Sequence, residues 1–370
     1  MSPRLHTPTS FDAHTNDLIT AFAVAAIVFI LLTLGAYAWT AWNPTSRPHL
    51  NRVSFRLLVY ALVANLMYAS MMISGARVSA GAGCSFNAFF SDVCLMFAGL
   101  MFCSMALNLQ LVLVHGVNGQ KMERYYVLGG LLMALACNIP SYAAGALGFY
   151  GSRYISTCWF SSPDPAIQLR WFIGTQGFWG FLMSLCEVVS FSTIVGNMLF
   201  CYRICKDLSG TVTTSVFTPT IPKPPIVLYR GIILRIGLYP LFSCFLNVIA
   251  GILGLHLIRD LAPTEVNWRL SIVVLFAYII RPMMYVLLAA TDPSFLRALR
   301  ALRRPTSEGS CPPDPAHVRV DLKWRTSSNA TSTADRDSPL QVCDPEPGTA
   351  SKTEGEITSE ASASDFTRQL

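Results

Sequence analysis

The sequence predicts an all-α fold: a seven-transmembrane helix bundle, then a short amphipathic eighth helix and a disordered C-terminal tail. Three observations predict it. The chain is 52% apolar and only 13% charged, with a mean hydropathy of +0.45, which is far too apolar for a soluble domain of ordinary charge content. The apolar residues gather into seven runs, each reaching the roughly 20 residues that a helix needs to cross the hydrocarbon core. Lys and Arg fall unevenly on the two sides of those runs.

The runs cover residues 18–42, 55–75, 88–115, 125–147, 171–202, 228–257 and 268–290. The fifth and sixth exceed the hydrocarbon thickness and are expected to project past it. Residues 1–17 then form a short outer N-terminal segment, 18–304 the membrane domain with its eighth helix, and 305–370 a cytoplasmic tail. The stretch before Leu18 is polar and no small-residue cleavage site follows a short apolar core, so the first run is expected to serve as the insertion signal.

Orientation follows from charge. With the N-terminus outside, the inner segments carry Arg47, Arg52, Arg56, Lys121, Arg124, Arg203, Lys206, Lys223, Arg230, Arg297, Arg300, Arg303 and Arg304, against Arg4, Arg77, Arg153, Arg170, Arg259 and Arg269 outside. The positive-inside rule therefore places the N-terminus outside and the C-terminus in the cytoplasm. Trp39, Trp42, Trp171, Trp179 and Trp268 lie near span ends, as interface anchors do. The net charge of +6 comes from singly scattered cations without a stripe or patch, which argues against a nucleic-acid partner.

After the seventh span, Thr291-Asp292-Pro293 offers a helix cap with proline in the first turn. Residues 294–304 then place Phe295, Leu296, Leu299 and Leu302 on one face and the arginines largely on the other, the pattern of a helix lying in the membrane surface. Beyond Pro305 the composition is low in apolar residues and predicts disorder. Thr211, Thr213, Thr214, Ser215 and Thr218 in the third inner loop, with the Ser and Thr of the tail, are candidate kinase sites as well as ordinary solvated linker.

Of 11 cysteines, most lie inside apolar runs and read as inert core thiols. Cys84, before the third span, and Cys158, in the loop after the fourth, are the ones this topology puts on the oxidising side, and a disulfide between them is expected. Ionisable groups at bilayer depth are costly and default to functional candidates. Glu187, near the middle of the fifth span, and Arg281, in the inner half of the seventh, are the two foremost. Glu187 would bind a polar ligand group or make an interhelical hydrogen bond. Pro240 in the sixth span removes one backbone hydrogen bond and predicts a kink.

Other seven-span chemistries fit poorly. A retinal protein needs a Schiff-base lysine in the last helix, whereas Lys121, Lys206, Lys223, Lys323 and Lys352 all lie outside the spans. A zinc hydrolase needs about three ligands at one depth, yet His115 and His256 fall at opposite faces. No enzyme activity, metal or cofactor is therefore expected. A small-solute transporter or channel survives as the alternative, with Asp92, Glu187 and Arg281 along a polar path. The absence of an internal repeat weighs against it.

Seven spans, Cys84 at the head of the third, Cys158-Trp159 in the second outer loop, Tyr239-Pro240 in the sixth and Arg281-Pro282-Met283-Met284-Tyr285 closing the seventh occur in this order. In that order they resemble a fungal G-protein-coupled receptor of the group similar to slime-mould cyclic AMP receptors and fungal nutrient-sensing receptors. The chain departs from the rhodopsin-like class. Asn108-Leu109-Gln110 stands where that class has an acidic-Arg-aromatic triplet, and Arg281 where it has Asn; Glu123-Arg124-Tyr125 reads instead as an interface charge cluster.

The resemblance implies that an extracellular ligand binds in the outer half of the bundle and that the chain activates a heterotrimeric G protein at the plasma membrane. The Gα C-terminal helix would dock between the inner ends of the third, fifth and sixth helices, where His115, Arg203, Lys206, Arg230 and Arg235 are candidate contacts. Each also serves as a positive-inside anchor. Asp92, Tyr142, Trp159, Gln176, Trp179, Glu187 and Asn247 are candidates for the outer pocket by polarity or aromatic character. Asn65, Asn108 and Arg281 are expected to form a polar network that rearranges on activation, with Tyr239, Pro240, Pro282 and Tyr285 in the same switch region. Plain interhelical glue is the alternative.

Overall fold

The computed structural model describes residues 10–303 apart from 45, 47–49, 51, 76, 78–80, 118, 152–155, 163, 212–229 and 260–263. Only backbone is described at 10–16, 150–151, 156–157, 201, 205–211, 230–236, 293–294 and 303. The side chains of Lys206, Thr211, Arg230 and Arg235, the other candidate kinase sites and the tail thus lie outside what is described.

Seven long helices follow one another. They are α1 (Ser10–Trp42), α2 (Val53–Gly75), α3 (Ala82–His115), α4 (Gly119–Ala143), α5, α6 (Arg230–Arg259) and α7 (Glu265–Ala290). The fifth is composite, running Pro165–Phe172, through a π-helical turn at Ile173–Gly177, into Phe178–Thr211. All seven contain a segment long and apolar enough to cross a membrane, so the chain is built as a multi-pass membrane protein. α8 (Pro293–Arg303) closes the described chain.

Sequential neighbours pack together, and α7 returns to α1, so the bundle forms a closed ring. α3 touches α2, α4, α5 and α6, and 61% of its apolar window is buried against 22–44% in the other six. It is therefore the central post. Lipid tails are as apolar as a leucine side chain, so helix association relies on close packing rather than apolar burial. α3 and α4 show this: a Cβ added at Gly130 would stand 2.6 Å from the Met101 side chain. The outward face of α4, with Leu128, Leu131 and Leu132, stays exposed, as a lipid-facing stripe must.

Local chemistry sets the helix ends. Gly116 takes the left-handed conformation (φ 65°) and its N–H bonds the Leu111 carbonyl, terminating α3. Asp164 accepts the Ala166 N–H at 2.9 Å with Pro165 in the first turn, and Thr264 accepts the Asn267 N–H at 3.2 Å to start α7. α8 begins at Pro293, as its sequence predicts. Phe295 and Ala298 are buried while Arg297 and Arg300 are exposed, and the Phe295 ring meets Tyr37 of α1 edge-on at 4.5 Å.

Three expectations are corrected. The fourth helix starts at Gly119 rather than 125 and ends at Ala143 rather than 147, because a helix satisfies its own backbone hydrogen bonds and can extend beyond the apolar run. Its first turns hold Glu123, which pairs with Arg56 of α2 at 2.6 Å. Leu147 belongs instead to an antiparallel β-hairpin, β1 (Leu147–Gly151) and β2 (Ser156–Phe160), with Leu147 opposite Phe160 and Phe149 opposite Cys158. This hairpin is the one addition to the all-α plan among the described residues. Finally, Trp171 packs beside the disulfide and Trp179 faces inward, so neither is a simple interface anchor; Trp39 and Trp42 are strongly exposed and keep that role.

Candidate functional site

The Sγ atoms of Cys84 and Cys158 are bonded, with Cα atoms 5.2 Å apart. This tie joins the start of α3 to β2, and two hydrogen bonds reinforce it. Ser85 Oγ donates to the Leu147 carbonyl at 2.8 Å, and Gln168 Nε2 of α5 donates to the Phe160 carbonyl at 3.4 Å. The hairpin is thereby pinned across the end of the bundle. Within β2 the Trp159 ring lies tilted against Phe160 at 5.3 Å, and it meets the Phe172 ring of α5 edge-on at 5.8 Å.

Phe172 is also a wall of a partly open cavity of ≈ 60 Å³. α3 supplies Asp92, Met96 and Gly99, spaced so that all three share one helix face. α5 supplies Thr175, Gln176, Trp179 and Met183. The π-helical turn at Ile173–Gly177 adds a residue to that turn, closed by the Phe178 N–H on the Ile173 carbonyl. Such turns shift the helix face, and they recur at functional sites. Asn247 comes from α6, and Tyr278 and Arg281 from α7. Asp92 lies ten residues into α3, about 15 Å along its axis from the disulfide end.

The cavity is polar at its charged corners. Asp92 and Arg281 are 8% and 4% exposed. Gln176 lies within electrostatic reach of Asp92, and the Arg281 guanidinium stands 5.7 Å from the Tyr278 ring centroid. Next to the cavity, Glu187 is 1% exposed and neither carboxylate oxygen has a hydrogen-bond partner; Ser243 and Arg281 are within electrostatic reach.

Of the seven pocket candidates, Asp92, Gln176, Trp179 and Asn247 line the cavity. Glu187 lies just behind it. Trp159 acts from one layer above, through Phe172. Tyr142 does not line it: it is 42% exposed, its ring packed on Phe89 of α3. Arg281 also departs from expectation, because it turns to the cavity. Asn65 donates instead to the Ala61 carbonyl of its own helix at 2.7 Å, and Asn108 is buried in α3. The expected grouping of Arg281 with Asn65 is thus replaced by one with Tyr278 and Asp92. Phe172, Thr175, Met183 and Tyr278 escaped the sequence reading. Tyr278 was accessible to it, since it sits three residues before Arg281 on the same helical face.

Towards α8, rings replace polar groups. Phe102 of α3 lies 4.0 Å from the Tyr285 ring and 6.4 Å from that of Tyr239 (centroid distances), and Phe242 meets Tyr285 edge-on at 6.3 Å. At the last turn of α7, Asp292 N–H and Thr291 Oγ1 donate to the Ala289 and Leu288 carbonyls, and two tyrosines from other helices add a second donor to each. Tyr239 Oη of α6 donates to the Leu288 carbonyl at 2.8 Å, and Tyr37 Oη of α1 to the Ala289 carbonyl at 2.7 Å. Tyr239 precedes Pro240, so a side-chain bond to α7 sits beside the helix's own missing backbone bond. His115 and Arg203 are exposed at this end of α3 and α5.

No protein-family model matches the chain, and no curated protein matches its sequence.

Proposed function

We propose that the chain is a plasma-membrane G-protein-coupled receptor. It lies with its N-terminus outside and its C-terminus in the cytoplasm, and it promotes nucleotide exchange on the α subunit of a heterotrimeric G protein. The observation that carries this reading is the stacking of two layers on shared helices. A polar cavity beneath the disulfide-tied hairpin lies directly over the Phe102, Tyr239 and Tyr285 cluster, and α3, α6 and α7 contribute to both.

A ligand shifts a conformational equilibrium only by its differential affinity for the two states. Asn247 on α6 and Arg281 on α7 both wall the cavity, so a ligand that draws them together or apart acts on the α6–α7 contact. That contact holds the Tyr239 hydrogen bond to Leu288. Its loss frees the α6 segment beyond Pro240 to swing outward and opens a cleft between the ends of α3, α5 and α6. A Gα C-terminal helix docks there, beside His115 and Arg203. Kinases acting on the tail would end the signal.

The competing reading, a small-solute transporter or channel, requires a polar path through both halves. Fully buried Met101, Phe102, Met105, Leu109, Tyr239 and Tyr285 instead fill the α8 half, which favours a receptor. Guanine-nucleotide exchange measured across a panel of Gα subunits and ligand libraries, beside solute flux in proteoliposomes, tests the assignment. Ligand-dependent exchange without flux is expected; flux without exchange for any pairing overturns it.

A further inference from the structure

Asp92 and Arg281 reach the same cavity from α3 and α7, and each is more than nine-tenths buried. They do not pair with each other: the salt bridges among the described residues are Arg56–Glu123 and Arg269–Glu265. Asp92 Oδ2 and Arg281 Nε have no hydrogen-bond partner. An unpaired buried charge is expensive, and more so at bilayer depth. Gln176 lies within electrostatic reach of Asp92 and Glu187 within that of Arg281, but Asp92 and Arg281 still present unsatisfied atoms of opposite character to one cavity, a polarity that an incoming molecule can match.

We propose that the cavity binds a compact zwitterion of the α-amino-acid class, with its ammonium group at Asp92 and its carboxylate at Arg281. Guanidinium suits a carboxylate because its planar fork offers parallel N–H donors. Gln176, beside Asp92, and Asn247 supply neutral donors and acceptors for the remaining polar atoms. Phe172, Trp179 and Met183 leave an apolar wall for a short side chain. Size adds a limit. The ≈ 60 Å³ exceeds the roughly 10–15 Å³ that one water needs but falls short of the about 150 Å³ that holds benzene. Glycine, alanine and serine, the smallest members of the class, are therefore the first ligands to test. A monovalent ligand, cationic or anionic, would match one wall only.

This inference rests on the reading above only in placing the ligand in this cavity, and its test needs no G protein. Binding of radiolabelled glycine and L-alanine is measured on the full chain in lipid nanodiscs, with L-alanine methyl ester and N-acetyl-L-alanine as competitors. Saturable binding is expected, with each blocked analogue weaker by roughly tenfold or more, since it forfeits one charge-assisted contact. Arg281→Gln should lose binding, Arg281→Lys should retain part of it, and Asp92→Asn should weaken the parent amino acid far more than the N-acetyl form. The blocked analogues keep the test independent of whether the variants fold. No saturable binding of glycine, L-alanine or L-serine, or equal competition by alanine and its ester, overturns the proposal. Amino-acid binding without exchange on any Gα leaves the zwitterion site standing and removes the receptor assignment; exchange driven solely by an uncharged ligand does the reverse.

Discussion

At the disulfide end, Asp92, Gln176, Asn247 and Arg281 surround open space, whereas at the α8 end Phe102, Tyr239 and Tyr285 fill the cross-section with rings. The same helices build both halves. In the first, buried charges keep atoms without partners, and a built element, the tied hairpin, fixes the roof. In the second, Tyr37 and Tyr239 bond the terminal α7 carbonyls from neighbouring helices. The contrast teaches where free energy has been left available for a ligand and where it has been used to hold helix ends in one arrangement.

Mutations in the two halves should therefore behave differently, and the largest stability effect belongs to the packed one. Phe102→Ala deletes a fully buried ring at the junction of three helices and should cost about 3–5 kcal/mol, read as the midpoint of thermal unfolding in detergent. A loss below about 1 kcal/mol would mean that the cluster is loosely packed. Replacing Cys84 and Cys158 together by Ser opens a closure spanning 74 residues and should cost about 2–5 kcal/mol. The roof should go with it, so ligand binding is expected to fall more than stability alone accounts for; unchanged binding would separate the hairpin from the site.

Smaller effects sharpen the same contrast. Tyr239→Phe keeps the ring and removes one hydrogen bond to the Leu288 carbonyl, for a cost of about 0.5–1.5 kcal/mol. If that bond restrains α6, basal nucleotide exchange should rise while ligand affinity changes little, and an unaltered basal rate would remove Tyr239 from the switch. Smallest of all, Arg56→Ala breaks the partly exposed pair with Glu123 and should cost about 1 kcal/mol, shrinking further in high salt. A larger, salt-insensitive loss would show that Arg56 has a structural role beyond that pair.

Much of the fold was legible because lipid imposes a simple rule: backbone groups must be satisfied within the helix, so spans announce themselves by length and apolarity. The Cys84–Cys158 tie followed from topology, and α8 from Asp292-Pro293 with its spaced apolar residues. The hairpin was missed although Leu147 and Phe149 before a turn, and Cys158 and Phe160 after it, alternate with strand period. An apolar run that continued from α4 masked it. The site was legible by residue type but not by direction. Asp92, Gln176, Trp179 and Asn247 line the cavity, in keeping with the rule that polar groups in a span seldom face lipid, whereas Tyr142, whose ring is at home at the membrane surface, is 42% exposed. Arg281 turns to the cavity wall it shares with Tyr278, a direction that a count of residues along α7 does not reveal.

Everything above depends on seven crossings that leave the chain's two ends on opposite sides of the membrane. Epitope tags at both ends, probed on intact and then permeabilised cells, test this most directly. The N-terminal tag should be labelled on intact cells and the C-terminal tag only after permeabilisation; labelling of both tags under the same condition would contradict the account.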